Sequence, residues 1–570
     1  MAKERASKSE SGRTRKAPSF ASSSPKQHKT PFAGTPRQEK PRKTSAKPAK
    51  HAARHAAQQA AERSAKRAAA RTAKRATAKP EAQPATKPAA KLIAKPLPKF
   101  VAKPAAKPAP IPVTKAVARP SANTAPAAPA VTKPVALTEA KPVAKAAAKT
   151  APKQAAAIAS AGVDLGARIS RRAADRLRQG YSWVYASDVE ALSLHEGEPA
   201  PALLPVADNR GLLLGTALYS PTSQIALRMV ARTALDEAAW LALFEERLRR
   251  AIARRKPLLD KNNDACRLVF SEADELPGLI IDQYGPLSIV QLVAKGLDNA
   301  EIRALVVRVL REEIAPKAIY ERPDPRMREL EGLAAPATEA LWPARTTAKS
   351  SVAEFHVNGL ALQFDANSGQ KTGAFLDQRA NYAAVAEWAK RLGTTGRALD
   401  VCTYQGGFAL HLARFCKQVT GIDASHASLE VAEKNLAANR AELTAEVDWV
   451  AADAFDLLRD WSDAKEVFDT IVLDPPAFAK TKRAVESALR GYKELNLRAI
   501  RMLRPGGLLA TFSCSHHVSW ADLEATVASA AADAGRRVRL VERRGPSPDH
   551  PVVFNLPESE YLKCLLLEVE

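Results

Sequence analysis

Between Arg397 and Cys514 the chain repeatedly builds a short apolar run and ends it on a reactive or polar group. Arg397-Ala398-Leu399-Asp400-Val401-Cys402 is followed by Val419-Thr420-Gly421-Ile422-Asp423. Val447-Asp448-Trp449-Val450 leads to Asp453, Asp469-Thr470-Ile471-Val472-Leu473 to Asp474, and Leu508-Leu509-Ala510-Thr511-Phe512 to Cys514. Helical stretches from Ala409 to Phe415 and from Leu429 to Arg440 separate the early runs. Strands alternating with helices predict a doubly wound α/β sheet over residues 351–570. In such a sheet ligands bind beyond the carboxyl ends of the strands, where these acids and this thiol fall.

The first strand runs into Tyr404-Gln405-Gly406-Gly407-Phe408. Gly406 and Gly407 let the backbone approach a ligand, but they lack the Gly-x-Gly-x-x-Gly spacing that cradles a pyrophosphate. Asp423 can accept both hydroxyls of a ribose, and Asp453 can accept from an adenine amino group. A nucleoside without a phosphate cradle points to S-adenosylmethionine, against which stands a plainer role for the acids as structural caps. The stretch Gly369-Gln370-Lys371-Thr372-Gly373-Ala374-Phe375-Leu376-Asp377-Gln378-Arg379 precedes the first strand. Either it lids the cofactor, with Phe375, Asp377, Gln378 and Arg379 as contacts beside Tyr404, or it begins a helix with Asp377 and Arg379 as solvated charges.

Asp474-Pro475-Pro476-Ala477-Phe478 closes a strand with a flat, acidic slot suited to a planar nitrogen heterocycle, with Pro475, Pro476 and Phe478 against the base. Cys514, in Ser513-Cys514-Ser515-His516-His517, ends a later strand within reach of the same slot. Cytosine C5 is too weak a nucleophile to take a methyl group unaided. A thiolate that adds to C6 turns the ring into an enamine, and Asp474 can ease the addition at N3. The base must first leave its stack. A buried strand cysteine is ordinarily plain core, but the flanking serines make this strand end polar. His516 or His517 either assists proton removal from C5 or is an exposed imidazole. Cys402 lines the cofactor pocket.

The front of the chain is different. Residues 1–160 carry 35 of the 86 Lys and Arg but only 6 of the 61 Asp and Glu, leaving 51 basic and 55 acidic residues for the rest. This stretch is rich in Ala, Lys, Pro and Ser and poor in large apolar side chains, so it is expected to be a disordered basic tail. Pro-free His51 to Lys79 is expected to turn helical on an anionic surface. The tail is read as a nonspecific RNA contact acting through counterion release, or else as a solubilising extension. Short strands around 182–185, 202–206, 212–218 and 225–230 predict a small β-barrel over 165–235, with Arg168, Arg171, Arg172, Arg176 and Arg178 at its entrance. Residues 236–350 read as a compact α+β unit. Five widely spaced cysteines, no two in a Cys-x-x-Cys pair, argue against a zinc site or disulfide framework. No apolar run is long enough to span a bilayer, so the expectation is a cytoplasmic protein without metal.

These residues resemble the RlmI-type 23S rRNA cytosine-5 methyltransferases over about 165 to 570. The pieces that carry the resemblance are Gly180-Tyr181-Ser182-Trp183-Val184-Tyr185, Glu275-Leu276-Pro277-Gly278-Leu279, and Lys371-Thr372-Gly373 with Phe375 to Arg379. Tyr404 with Gly406-Gly407-Phe408, Asp474 to Phe478, Ala488 to Lys493, and Ser513-Cys514-Ser515 follow, and then His550-Pro551, Pro557-Glu558 and Tyr561-Leu562-Lys563. The resemblance implies a PUA domain, a central α+β domain and a C-terminal Rossmann-like methyltransferase. It also implies S-adenosylmethionine, large-subunit rRNA as substrate, and Cys514 as nucleophile. The chain departs from the family at Cys402 and Gln405, where an aromatic residue and a threonine are usual, and in its basic tail. A homodimer is compatible with the sequence and not required by it. Two rivals stand beside this reading: methylation of an exocyclic amino group or of guanine N7, which needs no thiol, and an inert RNA-binding assembly factor.

Overall fold

The computed structural model describes residues 166–195, 201–336, 338–343, 351–367 and 373–570. The expectations for the tail, and for Gly369 to Thr372, lie outside the described residues.

The first layer is a six-stranded mixed sheet in the order Trp183–Tyr185, Ile225–Ala231, Leu213–Tyr219, Leu203–Ala207, Gly166–Ile169 and Val189–Ser193. Its apolar face gathers Ile169, Val184, Leu204, Val206 and Leu227 into one cluster. Helix Arg171–Arg178, capped by Ser170, adds Ala173, Ala174 and Leu177 to that cluster and turns its arginines outward. The arginines expected at a barrel entrance thus sit mostly on a helix that short-strand reasoning did not assign, as it also missed Gly166–Ile169 and Val189–Ser193.

The second layer has helices Glu237–Arg255 and Ala300–Glu313 on a five-stranded sheet that runs from Glu339–Trp342 to Ala265–Phe270. Phe244, Leu248 and Ile252 of the first helix recur at helical spacing, and they meet Ile302, Val306 and Val309 of the second in one core. The hairpin Val352–Val357 with Leu360–Asp365 then leads into the last layer.

That layer is a seven-stranded sheet built from β1 (Arg397–Val401), β2 (Gln418–Asp423), β3 (Glu446–Ala451), β4 (Phe468–Leu473), β5 (Leu503–Ser513), β6 (Val538–Arg544) and β7 (Lys563–Val569), in the order β3-β2-β1-β4-β5-β7-β6. All pairings from β3 to β5 are parallel, and β7 runs antiparallel to both β5 and β6. The order reverses between β1 and β4, so loops after those two strands diverge and leave a crevice. Helices Gly407–Leu412, His426–Ala438, Ala454–Asp463, Val485–Met502 and Trp520–Ala534 cover the sheet. The last three helices, β6 and β7 are additions to the elements legible in the sequence.

Three layers form one body because polar side chains cross their boundaries. Arg228 of the first layer is buried against Glu331 of the second at 2.7 Å, where Ser220 and Ser223 also donate to that carboxylate. Arg255 of the second holds Asp274 through two bonds and reaches the carbonyl of Asp549 in the third. Tyr284 stacks on Phe364 with centroids 4.1 Å apart. Among the described residues no helix is long and apolar enough to cross a membrane.

Candidate active site

The loop after β1 is wound tightly. Cys402, Tyr404 and Gly406 have φ of 63°, 53° and 86°, and two of these are side-chain-bearing residues in a region that costs them about 1 kcal/mol or more each. The loop is held by acids. Asp423 at the end of β2 accepts from the amide of Tyr404 at 2.9 Å and from that of Ser425 at 2.8 Å. Asp400, fully buried in β1, accepts from Thr403 Oγ1 and from the amide of Ala409, and so caps helix Gly407–Leu412, whose N-cap Gly406 has no side chain to do it. Burial pushes the Asp400 carboxyl up to about 7, with two hydrogen bonds pulling it down and neighbouring Asp423 pushing it further up. Its Oδ1 is buried without a hydrogen-bond partner. Asp400 was not singled out from the sequence.

The glycines of this turn have a reason other than ligand approach. Gly406 needs its left-handed φ, and a Cβ there would lie 2.9 Å from the Trp449 ring. A Cβ on Gly407 would lie 2.5 Å from Tyr382. Both turns are therefore filled by aromatic side chains of this chain. Asp453 is exposed and caps helix Ala454–Asp463, accepting from the amides of Phe455 and Asp456. That is the structural role weighed above, and it leaves the carboxylate at the edge of the same crevice.

The segment Gly373–Arg379 lies over the loop. Tyr404 donates its hydroxyl to the Gly373 carbonyl at 3.0 Å, and the Phe375 and Tyr404 rings meet edge to face at 5.0 Å. Gln378 donates to Asp474 Oδ2 at 2.9 Å and is itself fixed by Asn381. Asp377 and Arg379 are buried rather than solvated. Asp377 accepts from the Tyr561 hydroxyl at 2.6 Å, and Arg379 donates to the Ala265 carbonyl at 2.7 Å with Asp549 3.6 Å away. Their polar groups are engaged by protein partners, a correction to the expectation of solvated charges.

At the other side of the crevice, Asp474 follows β4 and donates its amide to the Val401 carbonyl. Pro475 is buried, Pro476 exposed, and Phe478 wedges between Phe455 and Tyr492 at 5.8 and 4.8 Å. Cys514 follows β5, with its Sγ 3.7 Å from the Pro475 carbonyl. A hydroxyl network sets this distance: Ser513 donates to Tyr492, Tyr492 meets Ser515 at 3.0 Å, and Ser515 accepts from the amide of Ala479. Tyr492, which comes from helix Val485–Met502, ties the strand end that carries the thiol to the Asp-Pro-Pro loop. Lys563 stands opposite Ser513 in the β5–β7 ladder. Its buried Nζ donates to the Glu560 and Tyr561 carbonyls, and burial holds the ammonium below its ordinary value despite Glu560 and Cys514 nearby. His516 is exposed, with its ring 5.2 Å from that of half-buried His517, and desolvation moves it below the ordinary imidazole value.

Arg171 and Arg172 are far from this crevice in the fold's layering and are exposed on helix Arg171–Arg178. They line a groove of about 600 Å³ with Asp175, Arg176 and Gln179. Arg171 lies 3.8 Å from Asp175, whereas Arg172 has no ion pair among the described residues.

Acids at the ends of β2, β3 and β4, a tight loop after β1 and the reversal of strand order define a methyltransferase sheet. Residues 335–567 match the family model for S-adenosylmethionine-dependent methyltransferases, and residues 167–232 match a PUA-like domain. The donor set fits the cofactor: its ribose hydroxyls and amino groups are donors, and the carboxyl ends of β2, β3 and β4 carry the carboxylates of Asp423, Asp453 and Asp474. The chain is similar to the Ribosomal RNA large subunit methyltransferase I of Pseudoalteromonas translucida, 36% identical over 69% of this chain and 96% of that protein. The proteins of the same name from Klebsiella pneumoniae and Escherichia coli O127:H6 are also 36% identical, over 68% of this chain and 94% and 95% of theirs. The chain belongs to the ribosomal RNA large subunit methyltransferase I family and uses S-adenosylmethionine. Among solved structures, a methyltransferase named SMU.776 and complexed with SAH superposes with a TM-score of 0.59 at 18% identity, covering 71% of this chain and all of that one. A SAM-dependent methyltransferase from Streptococcus mutans gives 0.57 at the same identity and coverage.

Proposed function

We propose that this protein methylates C5 of a cytosine in large-subunit rRNA through a covalent adduct on Cys514. The observation that carries the reading is the approach of the Cys514 thiol to 3.7 Å from the Pro475 carbonyl, which puts a nucleophile beside the flat Asp474–Phe478 slot. The relatives' names supply the class of RNA. An rRNA substrate also accords with a cytoplasmic protein.

In this reading Asp423 and Asp453 receive the nucleoside of S-adenosylmethionine, with Tyr404, Phe375 and the Gly406-Gly407 turn around it. Asp377, Gln378 and Arg379 hold the covering segment. When bound, S-adenosylmethionine supplies the methyl group as an electrophile. The extruded cytosine lies against Pro475, Pro476 and Phe478. The Cys514 thiolate forms a bond to C6, and the electron pair displaced from the C5–C6 bond is accommodated as N3 shares a proton with Asp474. This raises the electron density at C5. Once C5 carries the methyl group, His516 or His517 removes the C5 proton, the C5–C6 double bond reforms, and the sulfur leaves. An imidazole held below its ordinary value is neutral near pH 7 and can take that proton. Arg171 and Arg172 bind RNA phosphates in the groove on their helix. The basic residues 1–160 add sequence-independent attraction, so removing them should flatten the salt dependence of RNA binding and leave the chemistry intact. An unchanged slope in a binding titration from low to high salt would exclude the tail as a contact.

The test is incubation of wild type and Cys514→Ala with labelled S-adenosylmethionine and undermodified large-subunit rRNA, followed by nucleoside analysis. We expect 5-methylcytidine from wild type and a loss of at least about 10⁴-fold in the variant, with cofactor binding unchanged. A methyl group on another atom, formed equally by the variant, moves the protein to amino or N7 methylation. No methylation together with no cofactor binding leaves an assembly factor.

A further inference from the structure

One aromatic side chain has no role in the fold. Val553 and Leu556 form an antiparallel bridge closed by a 2.9 Å hydrogen bond from the Leu556 amide to the Val553 carbonyl, so Phe554 and Asn555 occupy the middle of a tight turn. Buried Ser559 stiffens it, accepting from the Val553 amide at 2.8 Å and donating to the Leu556 carbonyl at 2.7 Å. Middle positions of tight turns favour Gly, Asn, Asp, Pro and Ser, because their backbone or short polar side chain suits the bend. Asn555 conforms. Phe554 does not, and its side chain is 100% exposed. A rigid turn thus presents a hydrophobic ring wholly to solvent.

The turn is fastened on two sides. Towards the PUA-like layer, Asn555 packs so closely on Gly180 that a Cβ there would lie 2.2 Å from its Nδ2, and Tyr181 donates to Glu558 at 2.7 Å. Gly180 lies one residue beyond the C-cap Gln179 of helix Arg171–Arg178, and the Arg176 guanidinium lies 6.0 Å from the centroid of the Tyr181 ring. Towards the catalytic layer, Trp520 donates to Glu560, and Lys563 stands opposite Ser513, the neighbour of Cys514. The turn therefore connects the arginine-lined groove with the strand end that carries the thiol.

We propose that Phe554 is a stacking platform for an unpaired RNA base that flanks the target cytosine. The proposal rests on the RNA-methylating reading given above. A single strand whose phosphates lie along Arg171 and Arg172 brings its bases past this turn on the way to Cys514. An arginine-bearing helix and an exposed ring joined through one turn supply the two contacts that single-stranded nucleic acid uses, phosphate on charge and base on π-face. Val552 is the only other strongly exposed large apolar residue in this turn segment. Two such side chains are too little apolar surface for the centre of a protein interface.

The test compares the full chain with Phe554→Ala and Phe554→Trp. Fluorescence anisotropy with a labelled twelve-nucleotide oligocytidylate and with a duplex RNA of the same length is measured at one fixed salt concentration, so that the basic tail contributes equally to all three proteins. A ring with no contacts to lose can be truncated without unfolding, which a thermal melt verifies. We expect Phe554→Ala to bind the single strand about 5- to 100-fold more weakly, with duplex and cofactor affinity unchanged, and Phe554→Trp to bind like wild type. Wild-type affinity of Phe554→Ala for the oligocytidylate overturns the proposal. So does an equal loss for single strand and duplex, which signals a disturbed charge surface. Intact RNA affinity with altered self-association in sedimentation assigns the ring to a second copy of the chain instead. None of these readouts requires methyl transfer, so absence of 5-methylcytidine would sink the C5 reading and leave this result standing.

Discussion

At the β1–β3 side of the crevice, acids are gripped by backbone amides close by in the chain or on the adjacent loop: Asp423 by Tyr404 and Ser425, Asp453 by Phe455 and Asp456. At the β4–β5 side, the thiol and the acid are placed by side chains from distant segments. Tyr492 joins Ser513 to Ser515, and Gln378 reaches Asp474. The first arrangement comes with the fold, because a loop that ends a parallel strand leaves amides in need of acceptors. The second requires particular residues on particular helices. In the proposed reading the cofactor side is therefore built by topology and the substrate side by added chemistry, and the two should respond separately to mutation.

The sharpest way to break that separation is Asp423→Ala. If Asp423 receives the ribose as proposed, its loss should weaken S-adenosylhomocysteine binding about 10- to 100-fold in calorimetry. The alkylation rate of Cys514, followed by peptide mass spectrometry, should stay the same. A parallel fall in alkylation would show that the two sides are one unit. Tyr492→Phe is the converse. Removing one hydroxyl that serves Ser513 and Ser515 should lower kcat about 10-fold while the affinity for cofactor is kept. Weaker cofactor binding in this variant would contradict the division. The smallest effect is expected from Asp400→Asn. A free aspartate titrates near about 4, whereas burial raises Asp400 to about 7. Between those values the folded state keeps a proton that the unfolded chain has released, so this group's contribution to stability declines as pH rises from about 4 to 7. The amide variant should flatten that part of the curve of melting temperature against pH. An unchanged curve would mean that Asp400 is charged throughout.

How far the sequence was legible follows the same division. The five parallel strands were readable because each is an apolar run ended by a polar group, and the acids were readable because they stand at those ends. Helix Arg171–Arg178 was not, since Ala173, Ala174 and Leu177 form too short an apolar stripe among four arginines and an aspartate. β6 and β7 were missed because Val538–Arg544, the edge strand, is half charged. Tyr492 was quoted only as part of a motif. Its role depends on where an eighteen-residue helix, Val485–Met502, crosses β5, and no local spacing encodes that crossing. Arg379 and Asp377 were placed in the right segment, but their direction was decided by partners at Ala265 and Tyr561, more than a hundred residues away.

The buried junction around Asp549 has a consequence for how such enzymes diversify. Burial pushes this carboxyl up, but His550, Arg379 and the Arg267 amide outweigh it and hold it at about 2. Asp549 thus stays charged in the interior because two layers of the molecule supply its partners, Arg267 from the middle one and Arg379 from the last. A methyltransferase layer transplanted without the middle layer would carry with it an interior charge short of one partner. New specificities in this lineage should therefore arise by remodelling exposed turns and the arginine helix rather than by exchanging whole modules.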